Sequence, residues 1–140
     1  MSKNHFLFYF LLLFLLNNQI IYSQSYEEIH KKFENYVEND EHAFKYLDLY
    51  IHKAKAEKRY DRLIQGFTAA VYFSSDLKMK LKYADSTIVA AKISNDNDLI
   101  TKAYLGKGII YYFNLKKYKH ALDEYIKAYQ YSINSNDSYL

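Results

Sequence analysis

The chain contains no cysteine and no proline, and only three of its 140 residues are glycine. Without cysteine it forms no disulfide, no thiolate metal site and no lipid-anchored cysteine. Proline in a helix interior costs about 3 kcal/mol, so its absence favours long uninterrupted helices. These absences exclude covalent cross-links and indicate an all-α protein.

A strong net charge is also missing. The chain has 19 lysines and arginines against 16 acidic residues, a net charge of +3, and both signs are spread along it. Such a balance argues against a nucleic-acid-binding surface. Tyrosine, in contrast, is abundant, with 17 residues. Tyrosine suits helix seams, where one end of the ring is buried and the other meets water.

The amino terminus has the layout of a secretory signal peptide. Polar Met1–His5 contains Lys3, and Phe6–Leu16 is an unbroken apolar run. As a helix this run spans only ~16 Å, about half of a hydrocarbon core. Ser23 supplies a small residue before a cut at Gln24. We therefore expect residues 1–23 to be a cleaved signal peptide, with an uncleaved signal anchor as the alternative.

The rest of the chain, residues 24–140, shows the apolar periodicity of six helices. They form three predicted pairs over residues 25–58, 59–94 and 96–132. The capping box at Ser25 opens the first helix, which is expected to end near Asn39. The later helix ends are marked by Asp40 and by Ser74–Asp76. The first two helices are expected to bury Tyr26, Ile29, Phe33, Tyr36, Val37, Ala43, Leu47, Tyr50, Ile51 and Ala54.

The clearest pattern lies between residues 104 and 131. Aromatic and small residues alternate at helical spacing on both sides of a polar break at residues 114–117. The predicted packing positions are Tyr104, Gly108, Tyr111, Ala121, Tyr125 and Ala128. Tyr118, Leu122 and Tyr129 are expected on the same buried face of the sixth helix.

This stretch resembles a tetratricopeptide repeat, a helix–turn–helix pair that stacks into a right-handed α-solenoid. Two features depart from the family pattern. Lys107 occupies a position where the family usually has leucine, and one extra residue lies between Tyr111 and Ala121. The alternative is an αα-hairpin of another helical fold.

Weaker internal echoes support repetition at about 37–41 residues. A shift of 40 places Gly66, Tyr72 and Phe73 onto Gly106, Tyr112 and Phe113. A shift of 41 places Ser94–Asp96 onto residues 135–137, where a further helix is expected to begin. We therefore expect this chain to be the amino-terminal part of a longer array, whose sixth helix has an apolar edge. A dimer that covers this edge is the alternative.

Catalytic chemistry is not indicated. The histidines at 30, 42, 52 and 120 form no His-Glu-x-x-His pair. Asp123 and Glu124 are adjacent, so they are expected to diverge on a helix and meet solvent. We expect no catalytic residues, no metal and no cofactor.

The resemblance instead implies a binding surface, because the first helix of each such pair lines the concave face of the solenoid. The residues carried over by motif position are Arg62, Gln65, Tyr72, Lys102, Leu105 and Tyr112. Their expected partner is a protein or peptide, without contact to nucleic acid. The alternative is that these residues pack between neighbouring helices.

A signal sequence followed by divergent, tyrosine- and lysine-rich repeats resembles the amino-terminal sensor region of exported tetratricopeptide proteins. In Bacteroidetes-type bacteria such regions precede a membrane helix and a helix-turn-helix regulator of the AraC type. The resemblance implies a periplasmic interaction scaffold, with membrane contact only through an uncleaved signal or a downstream segment. An accessory or assembly module is the alternative, and an enzyme is the least expected. Self-association through the last helix is also expected.

Export should remove residues 1–23. Mass spectrometry of the chain recovered from the exported fraction should find Gln24 at the amino terminus. Recovery of only the full-length chain in the membrane fraction would favour the signal-anchor alternative.

Overall fold

The structure is a computed structural model that describes residues 24–133, and the signal-peptide prediction for residues 1–23 and the further helix expected near residues 135–137 lie outside this range. The described part is all-helical, as the sequence predicts, and contains no strand. A 3-10 turn, Glu41–Ala43, precedes the second helix, and a π-helical segment, Ile110–Asn114, follows the fifth. The six α-helices are α1 Tyr26–Phe33, α2 Phe44–Ala56, α3 Tyr60–Phe73, α4 Leu77–Ser94, α5 Asn97–Ile109 and α6 Tyr118–Ser132.

The helix starts are set by the caps that the sequence shows. Ser25 Oγ accepts from the Glu28 amide at 3.1 Å, and the Glu28 carboxylate accepts from the Ser25 amide at 2.9 Å. Asp40 caps the 3-10 turn before α2 by accepting from the His42 amide at 3.0 Å. Asp76 caps α4 by accepting from the Met79 amide at 2.9 Å. The predicted capping box and both predicted aspartate caps are therefore confirmed.

The predicted end of α1 is wrong. The helix ends at Phe33 rather than near Asn39, and Val37 is exposed. Asn39 has a left-handed φ of 63°, and its amide donates to the Tyr72 carbonyl at 3.1 Å. The bond to the end of α3 fixes this connection, and the turn it requires leaves Val37 outside the core.

Each helix packs against the next one along the chain, most extensively in the pairs α3–α4 and α5–α6. The predicted stripe of α2, from Ala43 to Ala54, is buried in a core cluster that α1 to α4 share. A second cluster joins α4, α5 and α6 around Ile88, Tyr104 and Ala128. As a result, α1 lies beside α3, and α3 lies beside α5.

Two of the glycines permit close helix packing. A Cβ at Gly108 would lie 2.6 Å from Cδ1 of Tyr125, and one at Gly66 would lie 2.8 Å from Cγ1 of Ile51. Gly106, in contrast, is exposed and has open space around it. The echo that matches Gly66 with Gly106 therefore does not hold in three dimensions. Gly108 of α5 and Tyr125 of α6, two of the positions expected to pack, lie against each other.

A π-helical segment ends the fifth helix. The Leu115 amide donates to the Ile110 carbonyl at 3.2 Å, a bond between residues five apart. A π-turn holds one residue more than an α-turn. This segment lies in the stretch between Tyr111 and Ala121, where the comparison with the repeat pattern counts one extra residue.

The predicted buried face of α6 is only partly right. Ala121 and Ala128 are buried, but Tyr118, Leu122 and Tyr129 are 57%, 57% and 67% exposed. The helix instead turns Glu124 inward, where it is 6% exposed. The expectation that Glu124 meets solvent is therefore wrong.

A partly buried group of charges surrounds the inward-facing Glu124, whose Oε2 makes no hydrogen bond within the described residues. Lys107 Nζ lies 2.7 Å from Asp85 and 3.6 Å from Glu124, and Glu124 also binds Lys127 at 2.9 Å. Burial lowers the pKa of Lys107, but the hydrogen bond to Asp85 and the charges of both carboxylates outweigh it, so the pKa is raised overall. Lys107 of α5 thus contacts an acidic residue on α4 and another on α6.

Alanine at the two glycines of α5 should have opposite effects. Gly106→Ala should raise the free energy of unfolding by about 0.5–1 kcal/mol, since open space surrounds the position and alanine favours the helix. Gly108→Ala should lower it by about 1–3 kcal/mol, because the new methyl group overlaps the Tyr125 ring. Urea unfolding measures both. Repeating Gly108→Ala in a Tyr125→Ala background should remove the loss; an undiminished loss there would contradict the proposed contact.

Candidate functional site

A groove of about 820 Å³ lies between α1 and α3, with Tyr50 of α2 at its base. It is called the α1–α3 groove below. It brings together three of the residues selected from the sequence, Arg62, Gln65 and Tyr72. The other lining residues are Tyr26, Glu27, His30, Lys31, Phe33, Glu34, Tyr50, Ile64, Thr68, Ala69 and Phe73.

Arg62 joins the two walls of the groove. Its guanidinium lies 5.1 Å from the Tyr26 ring centroid, and its Nη2 donates to Glu27 at 3.1 Å. Its Nη1 donates to Gln65 Oε1 at 3.2 Å, and the Tyr50 hydroxyl donates to the same oxygen at 2.8 Å. The Nε of Arg62 is buried and lies 3.7 Å from a carboxylate oxygen of Asp61, too far for a hydrogen bond. The guanidinium is therefore held between Tyr26, Glu27, Asp61 and Gln65.

Tyr26 anchors α1 to the rest of the protein. Nζ of Lys53 lies 5.4 Å from the Tyr26 ring centroid, and the Tyr26 hydroxyl donates to Glu57 at 2.7 Å. Burial, followed by the hydrogen bond to Glu57, raises the pKa of the Tyr26 phenol, and burial likewise raises the pKa of Tyr50. Both phenols thus remain protonated donors near neutral pH. Their rings meet edge to face at 5.0 Å and form a rigid aromatic floor.

The remaining three residues selected from the sequence lie elsewhere. Lys102 lines a smaller groove of about 290 Å³ between α3 and α5, and Ile64 and Thr68 border both grooves. Leu105 is half-buried against the second core cluster, as the packing alternative predicts.

Tyr112 lies beside α6. Its ring contacts those of Phe113 at 4.8 Å and Tyr118 at 5.1 Å. Tyr72 has a matching contact with Phe73 at 5.0 Å, but Phe73 is buried and Phe113 is exposed. The sequence similarity at a shift of 40 thus corresponds to two similar ring pairs, Tyr72 with Phe73 and Tyr112 with Phe113. The two pairs do not lie in the same groove.

The sequence reading missed the contribution of α1. Glu27, His30, Lys31 and Glu34 line the groove on successive turns of this helix. The rule that selected α3 and α5, namely the first helix of each pair, would also have selected α1. Glu27 reaches Arg62 across 35 positions of sequence, which local periodicity does not reveal.

Metal-binding groups are absent from the part of the chain that the structure describes: residues 24–133 contain no group of three histidine or acidic residues that could hold a metal ion. No helix of this range has the length and apolar character needed to cross a bilayer. Comparisons with protein-family models, curated proteins and solved structures found no match. The α1–α3 groove is therefore the candidate functional site.

Two tyrosines of this groove should differ sharply in their effect on stability. Tyr50 is 2% exposed, so Tyr50→Ser should lower the free energy of unfolding by about 3–5 kcal/mol. Tyr72 is 48% exposed, and Tyr72→Ser should lower it by at most about 1 kcal/mol. Urea unfolding of both variants checks this. Equal losses would assign Tyr72 to the core rather than to the surface of the groove.

Proposed function

We propose that this chain is an exported protein-binding scaffold of the tetratricopeptide type, and that its α1–α3 groove receives an extended peptide. The observation that carries the proposal is the combination of the half-exposed Tyr72 ring with the guanidinium of Arg62, above a buried floor made by Tyr26 and Tyr50. Rigid aromatic rings and arginine are the groups that dominate binding energy in protein interfaces.

The architecture in this proposal is a right-handed solenoid of three helix pairs, α1–α2, α3–α4 and α5–α6. Its support is the packing of each helix on the next and the close approach of Gly108 to Tyr125. The first helices of neighbouring pairs also border the two grooves. Helices α1 and α3 border the larger groove, and α3 and α5 border the smaller one. Such grooves are where extended peptides bind in solenoid proteins.

Arg62 favours a peptide that carries a carboxylate. The Arg62 side chain is 28% exposed and is paired with Glu27, which is 66% exposed, and at 3.7 Å with Asp61. Because Glu27 is open to solvent and such pairs are weak, an incoming carboxylate takes the place of Glu27 on the guanidinium. Gln65 and Thr68 supply polar groups for the peptide backbone. The proposed ligand is thus an extended segment with an aromatic or aliphatic anchor next to an acidic side chain or a carboxyl terminus.

The resemblance to exported sensor regions gives this binding step a role. Capture of a peptide or of a partner's chain terminus outside the cytoplasmic membrane would be the sensing event of a membrane-linked transcriptional regulator. In an accessory or assembly module, the same groove would hold a permanent partner. The groove chemistry is common to both, and residues 24–133 are proposed only as the binding part.

Peptides selected from a random display library on the folded chain provide the test. Synthetic copies with free and amidated carboxyl termini are then measured by fluorescence anisotropy. Tyr72→Ser should weaken binding at least about tenfold, equivalent to about 1.4 kcal/mol. Arg62→Met should weaken binding of peptides that carry a carboxylate and should change neutral peptides little.

Tyr112→Ser is the matched control, because Tyr112 is about as exposed as Tyr72 but contacts Tyr118 instead of the groove. Its peptide affinity should equal that of the unaltered chain. If Tyr112→Ser weakens binding as much as Tyr72→Ser does, the binding surface extends along the whole concave face that the repeat resemblance implies. If neither change matters, the α1–α3 groove is not the binding site.

A further inference from the structure

The smaller groove, between α3 and α5, is built in the same way as the α1–α3 groove. It is called the α3–α5 groove below. Its two walls are α3 and α5, and Ala84 and Thr87 of α4 lie at its base. In the α1–α3 groove the walls are α1 and α3, and Tyr50 of α2 lies at the base. Each groove thus lies between two first helices, with a residue of the intervening second helix beneath it.

The two grooves are continuous across α3. Ile64 and Thr68 line both of them, and these residues lie four positions apart on one face of the helix. An α-helix with its side chains is about 10–12 Å across, and an extended chain advances about 3.3 Å per residue. An extended peptide in the α1–α3 groove that crosses this ridge therefore reaches the α3–α5 groove after about three or four residues.

Small residues give the α3–α5 groove its room. Its base is formed by the buried Ala84 and Thr87, where the α1–α3 groove has a tyrosine. Gly106 belongs to the α5 wall, and a Cβ at this position would meet no heavy atom within 4 Å. The volume is about 290 Å³. The groove is thus open at the one wall position that carries no side chain.

The lining of the α3–α5 groove is mainly aliphatic. The residues that line it include no aromatic ring and no acidic side chain, and its two charged members are Lys102 and Lys107 of α5. Its base needs no polar partner from a ligand, since the Thr87 hydroxyl donates to the Tyr83 carbonyl at 2.9 Å. Such a lining favours an aliphatic side chain and disfavours a basic one.

We infer that the α3–α5 groove is a second subsite for the peptide of the α1–α3 groove, and that it takes an aliphatic side chain of that peptide. This inference rests on the proposed function, because it extends the same ligand over the Ile64 and Thr68 ridge. The aliphatic residue lies three or four positions from the anchor that contacts Tyr72. Gly106 determines specificity here, because a larger residue at this position takes up the space of the ligand side chain.

Peptides selected from the random display library on the unaltered chain are the probes. They should carry leucine, isoleucine, valine or methionine three or four positions from the anchor. Its replacement by serine should weaken binding at least about tenfold in fluorescence anisotropy. Selected peptides that lack such a residue would overturn the inference.

Substitutions of Gly106 locate the effect. Gly106→Leu should remove most of the difference between each peptide and its serine copy, and Gly106→Ala should remove less of it. Lys119→Leu is the matched control, because it adds the same side chain at an exposed position of α6 that lines neither groove. The control should keep the full difference, and all three variants should keep their helix content by circular dichroism.

The affinities of the Tyr72→Ser chain separate this inference from the proposed function. If Tyr72→Ser weakens binding but the tenfold difference persists in Gly106→Leu, the second subsite is wrong and the α1–α3 groove stands. If Tyr72→Ser has no effect, the proposed function fails and the second subsite fails with it.

Discussion

The orientation of α6 depends on its contacts with α5 at Gly108 and Lys107. The missing side chain of Gly108 admits the Tyr125 ring, and Lys107 draws Glu124 into the interface. Both contacts lie on one face, so they fix the rotation of the helix as well as its distance. The contacts on the buried side of α6 therefore determine which of its residues are exposed.

The α1–α3 groove depends on a different constraint. Helix α1 has eight residues, too few for a stable isolated helix. It is held by its capping box, by the burial of Ile29 and Phe33, and by Tyr26, whose ring lies beside Lys53 and Arg62. One wall of the groove is thus the element that relies most on tertiary contacts. Because Arg62 belongs both to this support and to the proposed binding chemistry, a ligand that engages it also acts on the stability of α1.

Sequence periodicity predicted the helices and their caps because both depend on neighbours within four residues. The stripe of α2 followed from such a local pattern, whereas Gly108 and Tyr125 lie on different helices and were selected through the resemblance to a repeat. The orientation of α6 did not, because Glu124 is buried through Lys107 on another helix. Tyrosine makes the buried face of α6 harder to predict. A pattern that counts tyrosine as apolar assigns Tyr118 and Tyr129 to the core. Arg62, Gln65 and Tyr72 were selected together because one helix carries all three, whereas Glu27 required contact over 35 positions.

The many tyrosines of the chain serve both its core and its surface. Buried tyrosines satisfy their hydroxyls internally, as Tyr26 does with Glu57 and Tyr50 does with Gln65. Tyr72, Tyr118 and Tyr129 keep much of their rings exposed. An exposed tyrosine offers large contact area with few rotatable bonds, while its hydroxyl keeps the free protein hydrated. A chain with three glycines and no proline has few means of shaping sites through unusual backbone, and it places rigid, amphipathic side chains on regular helices instead.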